Sequence, residues 1–245
     1  MPRLDVQIPA PDGISPATLH VPDGDGPWPG VLLFPDAGGA RETMREMADR
    51  LASMGYVALV PDIYYRSGDW EPFDMATLFS VPAERERLST LAGVLTTERI
   101  IADAGAYADF LLARPEVRGQ AIGTTGYCLG GRMSLVAATG LGSKIGAAAS
   151  FHGGRLAVAD DPASPHLAAD RIAATVYVAG ATDDNSYTPE QAELLERALT
   201  DAGVNHTLEI YPAHHGFAVA DNTTYDEQAS ARHWDALCQL YRTLG

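Results

Sequence analysis

The chain has 245 residues, 46% of them apolar and 20% charged, with 32 acidic against 17 basic side chains and a net charge of −15. That is enough chain to bury a core without disulfides or metals as staples, and so acidic a surface argues against nucleic acid, which needs a basic face for its phosphates. Two cysteines, Cys128 and Cys238, exclude a disulfide scaffold, and a single lysine, Lys144, removes lysine-based chemistry everywhere else.

No apolar run approaches the roughly 18 residues of a membrane span, and Met1-Pro-Arg-Leu-Asp5 lacks the apolar stretch of a secretory signal. The expected setting is therefore the reducing cytoplasm. In chain order, short strands are expected at Asp5–Ile8 and Ala17–Val21, followed by a turn-rich connector over Pro22–Pro29. The run from Gly30 to Pro35 is continuously apolar, as a strand buried on both faces should be. Met44, Met47, Leu51 and Met54 recur at helical spacing, which predicts a helix over about Glu42–Met54, closed by Gly55.

The alternation continues. Tyr56–Val60 reads as a strand, and the insert from about 64 to 97 is mixed and polar, expected to form short helices near a pocket. Helices are expected at Arg99–Leu112, Leu129–Thr139, Pro189–Ala202 and Tyr225–Leu244, with strands at Gly123–Tyr127, Ala147–Phe151, Thr175–Gly180 and His206–Tyr211. Strands alternating with helices predict an α/β fold, a mostly parallel sheet with helices on both faces. No break in composition divides the chain, so a single domain over 1–245 is expected.

Gly126-Tyr-Cys128-Leu-Gly130-Gly131 lies between a predicted strand and a predicted helix. A nucleophile on so sharp a turn is pushed out above the sheet, and its flanks must be small because a side chain there would collide. The helix that follows aims its N-terminal N–H groups at the same point, which favours the thiolate, the reactive form of a cysteine. The competing readings are a buried structural cysteine and a redox-sensing thiol. The strand–turn–helix setting favours the nucleophile, and no second cysteine lies nearby in sequence.

A cysteine nucleophile needs a base, and the base needs an acid to orient it. In such a fold these follow in the order acid, then histidine, on loops after later strands. Asp183 and Asp184 follow one predicted strand, and His214 and His215 follow the next. Within each pair both members are candidates.

These residues resemble the dienelactone hydrolase family, the cysteine branch of the α/β-hydrolase superfamily, from about Val31 to the last helix. Gly-Tyr-Cys-Leu-Gly-Gly carries most of the likeness, with Pro61-Asp-Ile-Tyr64 and Tyr211-Pro-Ala-His-His-Gly-Phe217. The His-Gly-Phe ending selects His215. The Ser186-Tyr-Thr-Pro189 that follows the acid favours Asp184, with Asp183 the runner-up. The resemblance implies an α/β-hydrolase fold and hydrolysis of small esters or lactones, through an acyl-enzyme on Cys128 and with no metal or organic cofactor. It also implies an oxyanion hole of backbone N–H groups, those of Leu129 and Ala37.

Two positions depart from the pattern. Asp36 stands where the family carries a glutamate that pairs with the resting thiol, and its other reading is a turn-forming residue of the Gly-rich loop. Val219 stands where an arginine would hold a substrate carboxylate, four residues after the histidine. Arg85, Arg87 and Arg66 are the arginines that could supply another, each with a surface role as its alternative. Tyr64 and His152 are candidate pocket residues beside Asp36 and Arg85, and Tyr65, Trp70, Phe73 and Phe79 could wall an apolar acyl site. Trp234, Leu237, Cys238 and Tyr241 read as a core face of the last helix. Two alternatives to the ester or lactone hydrolase remain: a general carboxylesterase or thioesterase, and a non-catalytic, thiol-sensing member of the fold. The expected partner is a small-molecule ester or lactone, with no membrane; nothing in the sequence specifies an oligomer.

Overall fold

The structure is a computed structural model and describes residues 1–244. Its frame is one eight-stranded sheet: β1 (Arg3–Ala10), β2 (Gly13–His20), β3 (Trp28–Phe34), β4 (Val57–Pro61), β5 (Val117–Tyr127), β6 (Ile145–Phe151), β7 (Thr175–Ala181) and β8 (His206–Tyr211). The spatial order is β1-β2-β4-β3-β5-β6-β7-β8. β1 and β2 pair antiparallel at one edge, β2 is antiparallel to β4, and the remaining pairs are parallel. The mostly parallel sheet is thus as expected, extended at one edge by a hairpin longer than the two short strands read from the sequence.

Among the described residues, six α-helices connect and cover it: α1 (Glu42–Ser53), α2 (Pro82–Ala92), α3 (Thr97–Leu112), α4 (Leu129–Leu141), α5 (Pro189–Asp201) and α6 (Glu227–Tyr241). Strand alternation sends Val31 and Leu33 of β3 into one core, where Met44, Met47 and Leu51 of α1 meet Trp234 and Leu237 of α6. Leu32 and Phe34 point the other way, toward Ile100 and Tyr107 of α3 and Met133 and Val136 of α4. On that second face Leu195 and Leu199 of α5 pack with Leu135, Val176 and Val178. Strands buried on both faces have no polar side to show, which is why β3, β4 and β6 read as apolar runs.

The insert forms short helices, as expected, and the last helix differs from expectation for a local reason. The insert holds a short 3₁₀ turn (Tyr65–Ser67) and the three-turn α2, whose first turn opens on Pro82 and whose single buried residue is Leu91. The last helix begins at Glu227 rather than Tyr225, because Asp226 caps it: its carboxylate accepts the Ala229 N–H at 2.8 Å.

The parallel strands end together. Phe34 is level with Gly126, Tyr127 with Phe151, Phe151 with Ala179, and Ala181 with Tyr211. Every loop that carries a candidate site residue therefore emerges at one carboxyl edge of the sheet, where open α/β sheets bind their ligands.

Candidate active site

Cys128 follows β5 with φ 52° and ψ −115°, a left-handed conformation that costs a non-glycine residue about 1–3 kcal/mol. The glycines around it make the turn possible. A Cβ on Gly126 would lie 1.9 Å from the Gly130 carbonyl oxygen, and one on Gly130 would lie 2.3 Å from that of Phe34. The Cys128 N–H donates to the Phe151 carbonyl at 3.1 Å and toward His152 Nδ1 at 3.2 Å. Leu129 opens α4, and the first N–H groups of a helix have no partner within it. The thiol itself is partly exposed.

His215 bridges two of the predicted residues. Its Nδ1 donates to Asp184 Oδ2 at 2.7 Å, and it shares the walls of one cavity with Cys128. The Ser186 hydroxyl and N–H donate to the other Asp184 oxygen at 2.6 and 2.8 Å. Burial penalises the Asp184 carboxylate, yet the hydrogen bonds from His215 and Ser186 outweigh it and hold its pKa below the usual value. Burial likewise opposes a charge on His215, but Asp184 and Cys128 together raise its pKa to about 10. Asp183 and His214 are exposed, and Asp183 takes a left-handed φ of 56°. The structure thus separates the members of both adjacent pairs: Asp184 touches His215, whereas Asp183 is exposed at the rim of the cavity beside Cys128 and His214 is exposed outside it.

Beside this cluster lies a cavity of about 590 Å³ that reaches Cys128 and His215 and is walled in part by Phe79, Leu129, Arg132 and Arg155. Of the five aromatic candidates in the insert, Phe79 is the one that lines it. The sequence reading missed the two arginines. Arg132 is committed to the carbonyls of Arg155 (2.5 Å) and Ala163 (2.8 Å), and Arg155 reaches Asp161 at 3.1 Å. Ser186 was also missed as a carboxylate partner, although an Asp two residues before a Ser is a turn signal the sequence displays.

Several pocket expectations are corrected. Tyr64 is fully buried and does not line the cavity; its hydroxyl donates to the Ala37 carbonyl at 3.0 Å. Asp36 accepts the Gly38 N–H at 2.9 Å, so the peptide joining Ala37 to Gly38 is held at its oxygen by Tyr64 and at its N–H by Asp36. The Asp36 carboxylate also pairs with the buried Arg41 guanidinium at 2.5 and 3.0 Å, which occupies both its oxygens, so that of the two readings left open by the sequence the turn-forming one describes it and the thiol pairing does not. Arg85 is exposed on α2 and is not among the cavity's lining residues. Arg66 pairs with Asp103 and Asp12, and Arg87 lies over Phe73. Val219 is buried against the core with Phe217. His152 is fully buried against Cys128 and lines a small chamber beside it, not the large cavity.

Arg41 reaches further. Its Nε and second terminal nitrogen donate to Asp221 at 2.6 and 2.7 Å, and Thr43 donates to the same carboxylate at 2.9 Å. One guanidinium thus ties the loop after β3 to the loop that carries His215. Among the described residues, no group of three or more His, Cys, Asp or Glu side chains is placed to hold a metal ion. No described helix is long and apolar enough to cross a membrane.

The sheet order, the turn at Cys128 and the loops gathered at one edge define an α/β-hydrolase. The chain matches the model of the dienelactone hydrolase family over residues 16–245. It is 30% identical over 230 residues to a Synechocystis protein provisionally named a carboxymethylenebutenolidase, covering 92% of this chain and 90% of that one. A Methylorubrum extorquens protein of the same provisional name is 29% identical, over 98% of this chain and 81% of its own length. Among solved structures, a Klebsiella pneumoniae protein provisionally named a dienelactone hydrolase superposes with a TM-score of 0.84 at 25% identity, covering 98% of both chains. A dienelactone hydrolase-like promiscuous phosphotriesterase from metagenomic libraries gives 0.78 at 28% identity, over 99% of this chain and 98% of that one. The chain belongs to the dienelactone hydrolase family, a class of carboxylic ester hydrolases.

Proposed function

We propose that the chain hydrolyses small esters or lactones by a thiol acyl-enzyme route, with Cys128 as nucleophile, His215 as acid and base, and Asp184 as the group that orients it. The observation that carries this reading is His215, held by Asp184 at 2.7 Å in the wall of the cavity that Cys128 also lines, with its pKa raised by both neighbours. The Cys128 thiolate attacks the carbonyl carbon, and backbone N–H groups of Ala37 and Leu129 receive the developing oxyanion. Losing one such donor typically costs about 10²–10³ in rate. The tetrahedral intermediate collapses, His215 gives its proton to the leaving alkoxide, and acyl-Cys128 remains.

Acylation changes the balance at His215. The sulfur no longer bears a charge, so one of the two contacts that keep the proton on the ring is gone, while burial still opposes it. His215 can then take a proton from water, whose oxygen attacks the thioester. The C–S bond breaks, the electron pair stays on sulfur, and the carboxylic acid departs. Asp184 fixes the proton on Nδ1 so that Nε2 serves this exchange.

Binding in this reading rests on the mostly apolar cavity beside Cys128, because position 219 offers a buried valine and the arginines of the insert are engaged elsewhere or absent from the cavity wall. The test is turnover of a dienelactone and of a neutral aryl ester by wild type and Cys128→Ala. Cleavage of the aryl ester by the wild type and its loss in Cys128→Ala are expected, with the dienelactone the poorer substrate. Equal turnover by the variant would remove the nucleophile assignment, and a preference for the dienelactone would assign its carboxylate to Arg132 or Arg155, the two guanidinium groups in the cavity wall.

A further inference from the structure

The mechanism above leaves one buried titratable side chain beside the nucleophile without a task. His152 follows β6, is fully buried, and holds a left-handed φ of 39°. Its backbone N–H donates to the Ala179 carbonyl at 2.8 Å, and its ring meets those of His215 and Phe217 edge-on at 5.1 and 5.0 Å. Nδ1 faces the Cys128 N–H at 3.2 Å and must accept there, so the proton of the neutral ring sits on Nε2. Burial, followed by the neighbouring His215 and His233, pushes the His152 pKa well below its usual value, which keeps the ring neutral. Nε2 is then a buried donor, and it has no protein partner. Leaving such a donor unpaired costs about 1–3 kcal/mol, and buried polar groups of this kind meet ordered water.

A chamber suited to that water borders the ring. It measures about 20 Å³ and is lined in part by His152, Cys128, His215, Ala37, Gly216 and Asn222. That volume has room for about one water molecule. The chamber is therefore bordered by the proposed nucleophile, the proposed base, an oxyanion-loop residue and the residue whose ring carries that unpaired donor.

We propose that His152 is a positioning residue for the second half of the reaction. Its Nδ1 holds the N–H of the strained turn, and its Nε2–H holds a single water in the chamber, the water that cleaves the Cys128 thioester. The oxygen of this water bonds to the acyl carbon, its proton passes to His215 Nε2, and the C–S bond breaks with its electron pair left on sulfur. This inference rests on the Cys128–His215 reading and goes beyond it by naming where the water waits. Ordering a reactant beforehand removes an entropic part of the barrier, and misplacing one by about 1 Å can cost about 10²-fold.

Two substitutions separate the two ring nitrogens. In His152→Asn the side-chain oxygen falls near the place of Nδ1, and asparagine accepts a positive φ readily, so the bond from Cys128 is kept and the Nε2 donor is lost. In His152→Gln the amide reaches toward the place of Nε2. Rapid mixing with p-nitrophenyl acetate gives acylation as a burst and deacylation as the steady rate, and intact mass reports acyl-Cys128. For His152→Asn the expected result is a burst near that of wild type, a deacylation slowed by about 10- to 100-fold, and accumulated acyl-enzyme. His152→Gln should restore part of the ratio of deacylation to acylation.

An unchanged deacylation, or a burst and steady rate that fall together in both variants, would leave His152 a purely structural support and overturn the proposal. A high-resolution crystal structure of the wild type, which needs no variant to fold, should show a water within hydrogen-bond distance of His152 Nε2, and a dry chamber would equally overturn it. Failure of wild-type Cys128 to acylate at all would remove the triad reading and this inference with it. An acyl-enzyme whose breakdown ignores His152 would remove this inference alone.

Discussion

Cys128 and His215 meet at the edge of one cavity, yet the chain holds them there by different means. Around Cys128 the constraint is local and steric: six consecutive residues, two glycines that no Cβ could replace, and a helix that begins at the next residue. Around His215 the constraint is long-range and electrostatic. Its partner Asp184 comes from the loop after β7, and its own loop is tied through Asp221 to Arg41, which also grips Asp36 beside the predicted oxyanion hole. A steric turn can be written in a short motif, whereas a network of charges must be assembled from several loops by the finished fold.

The largest expected effect falls on the electrostatic half. Asp184→Asn should lower kcat by about 10⁴ by presenting the wrong tautomer of His215, while Asp183→Asn should leave it unchanged. The same variant should move the alkaline limb of the kcat/KM profile to lower pH, since the Asp184 hydrogen bond is one of the contacts that raise His215 to about 10. Stability should follow the same two groups. The raised His215 contributes fully below about pH 6.5, and that contribution is lost as pH climbs through about 10; the lowered Asp184 contributes above about pH 3.8 and loses its share as pH falls below. Thermal melts of the wild type and of Asp184→Asn across that range would show whether the difference between them fades at both ends.

Arg41→Ala removes the partner of a buried carboxylate and should destabilise the protein by about 3–5 kcal/mol in denaturant titration. Asp221→Asn, at the exposed end of the same network, should cost less. Gly130→Ala probes the steric half: with two backbone carbonyls within 2.4 Å of the new Cβ, it should cost about 1–3 kcal/mol or more and depress activity more than stability. If Gly130→Ala were harmless, the contrast between the two halves would collapse. Tyr64→Phe should be the mildest, about 0.5–1.5 kcal/mol for one lost hydrogen bond, read best as a small drop in kcat through the loosened Ala37 peptide.

What the sequence made legible follows the same division. The turn at Cys128, the buried parallel strands and most helices were readable because each is set by neighbours in the chain. From residue chemistry alone Asp184 and His215 were readable only as adjacent pairs, since residues one apart on a loop differ in direction and not in chemistry; the family resemblance of the flanking motifs is what chose between them. The commitment of Asp36 to Arg41 was not readable, because nothing near either residue announces a third partner, Asp221, 180 positions from Arg41. Tyr64 was read as a wall of the pocket for its position at a strand end, but its hydroxyl points to Ala37 and braces the loop from beneath. Arg132 and Arg155 were overlooked because an arginine on a helix or in a loop reads as surface until the fold folds its loop back over the site.

The shared guanidinium has a consequence for how this protein can change. Arg41 serves Asp36 and Asp221 at once, and each of its nitrogens is already occupied. The three positions should therefore behave as one heritable unit. Substitutions at Arg41 or Asp36 would look costly in a single-site scan and those at the exposed Asp221 less so, while the right pair or triple could be nearly neutral, so that their effects depart widely from additivity. A lineage that exchanged Asp36 for a longer acid, or lost the arginine, would have to pass through a valley or change several of these positions together.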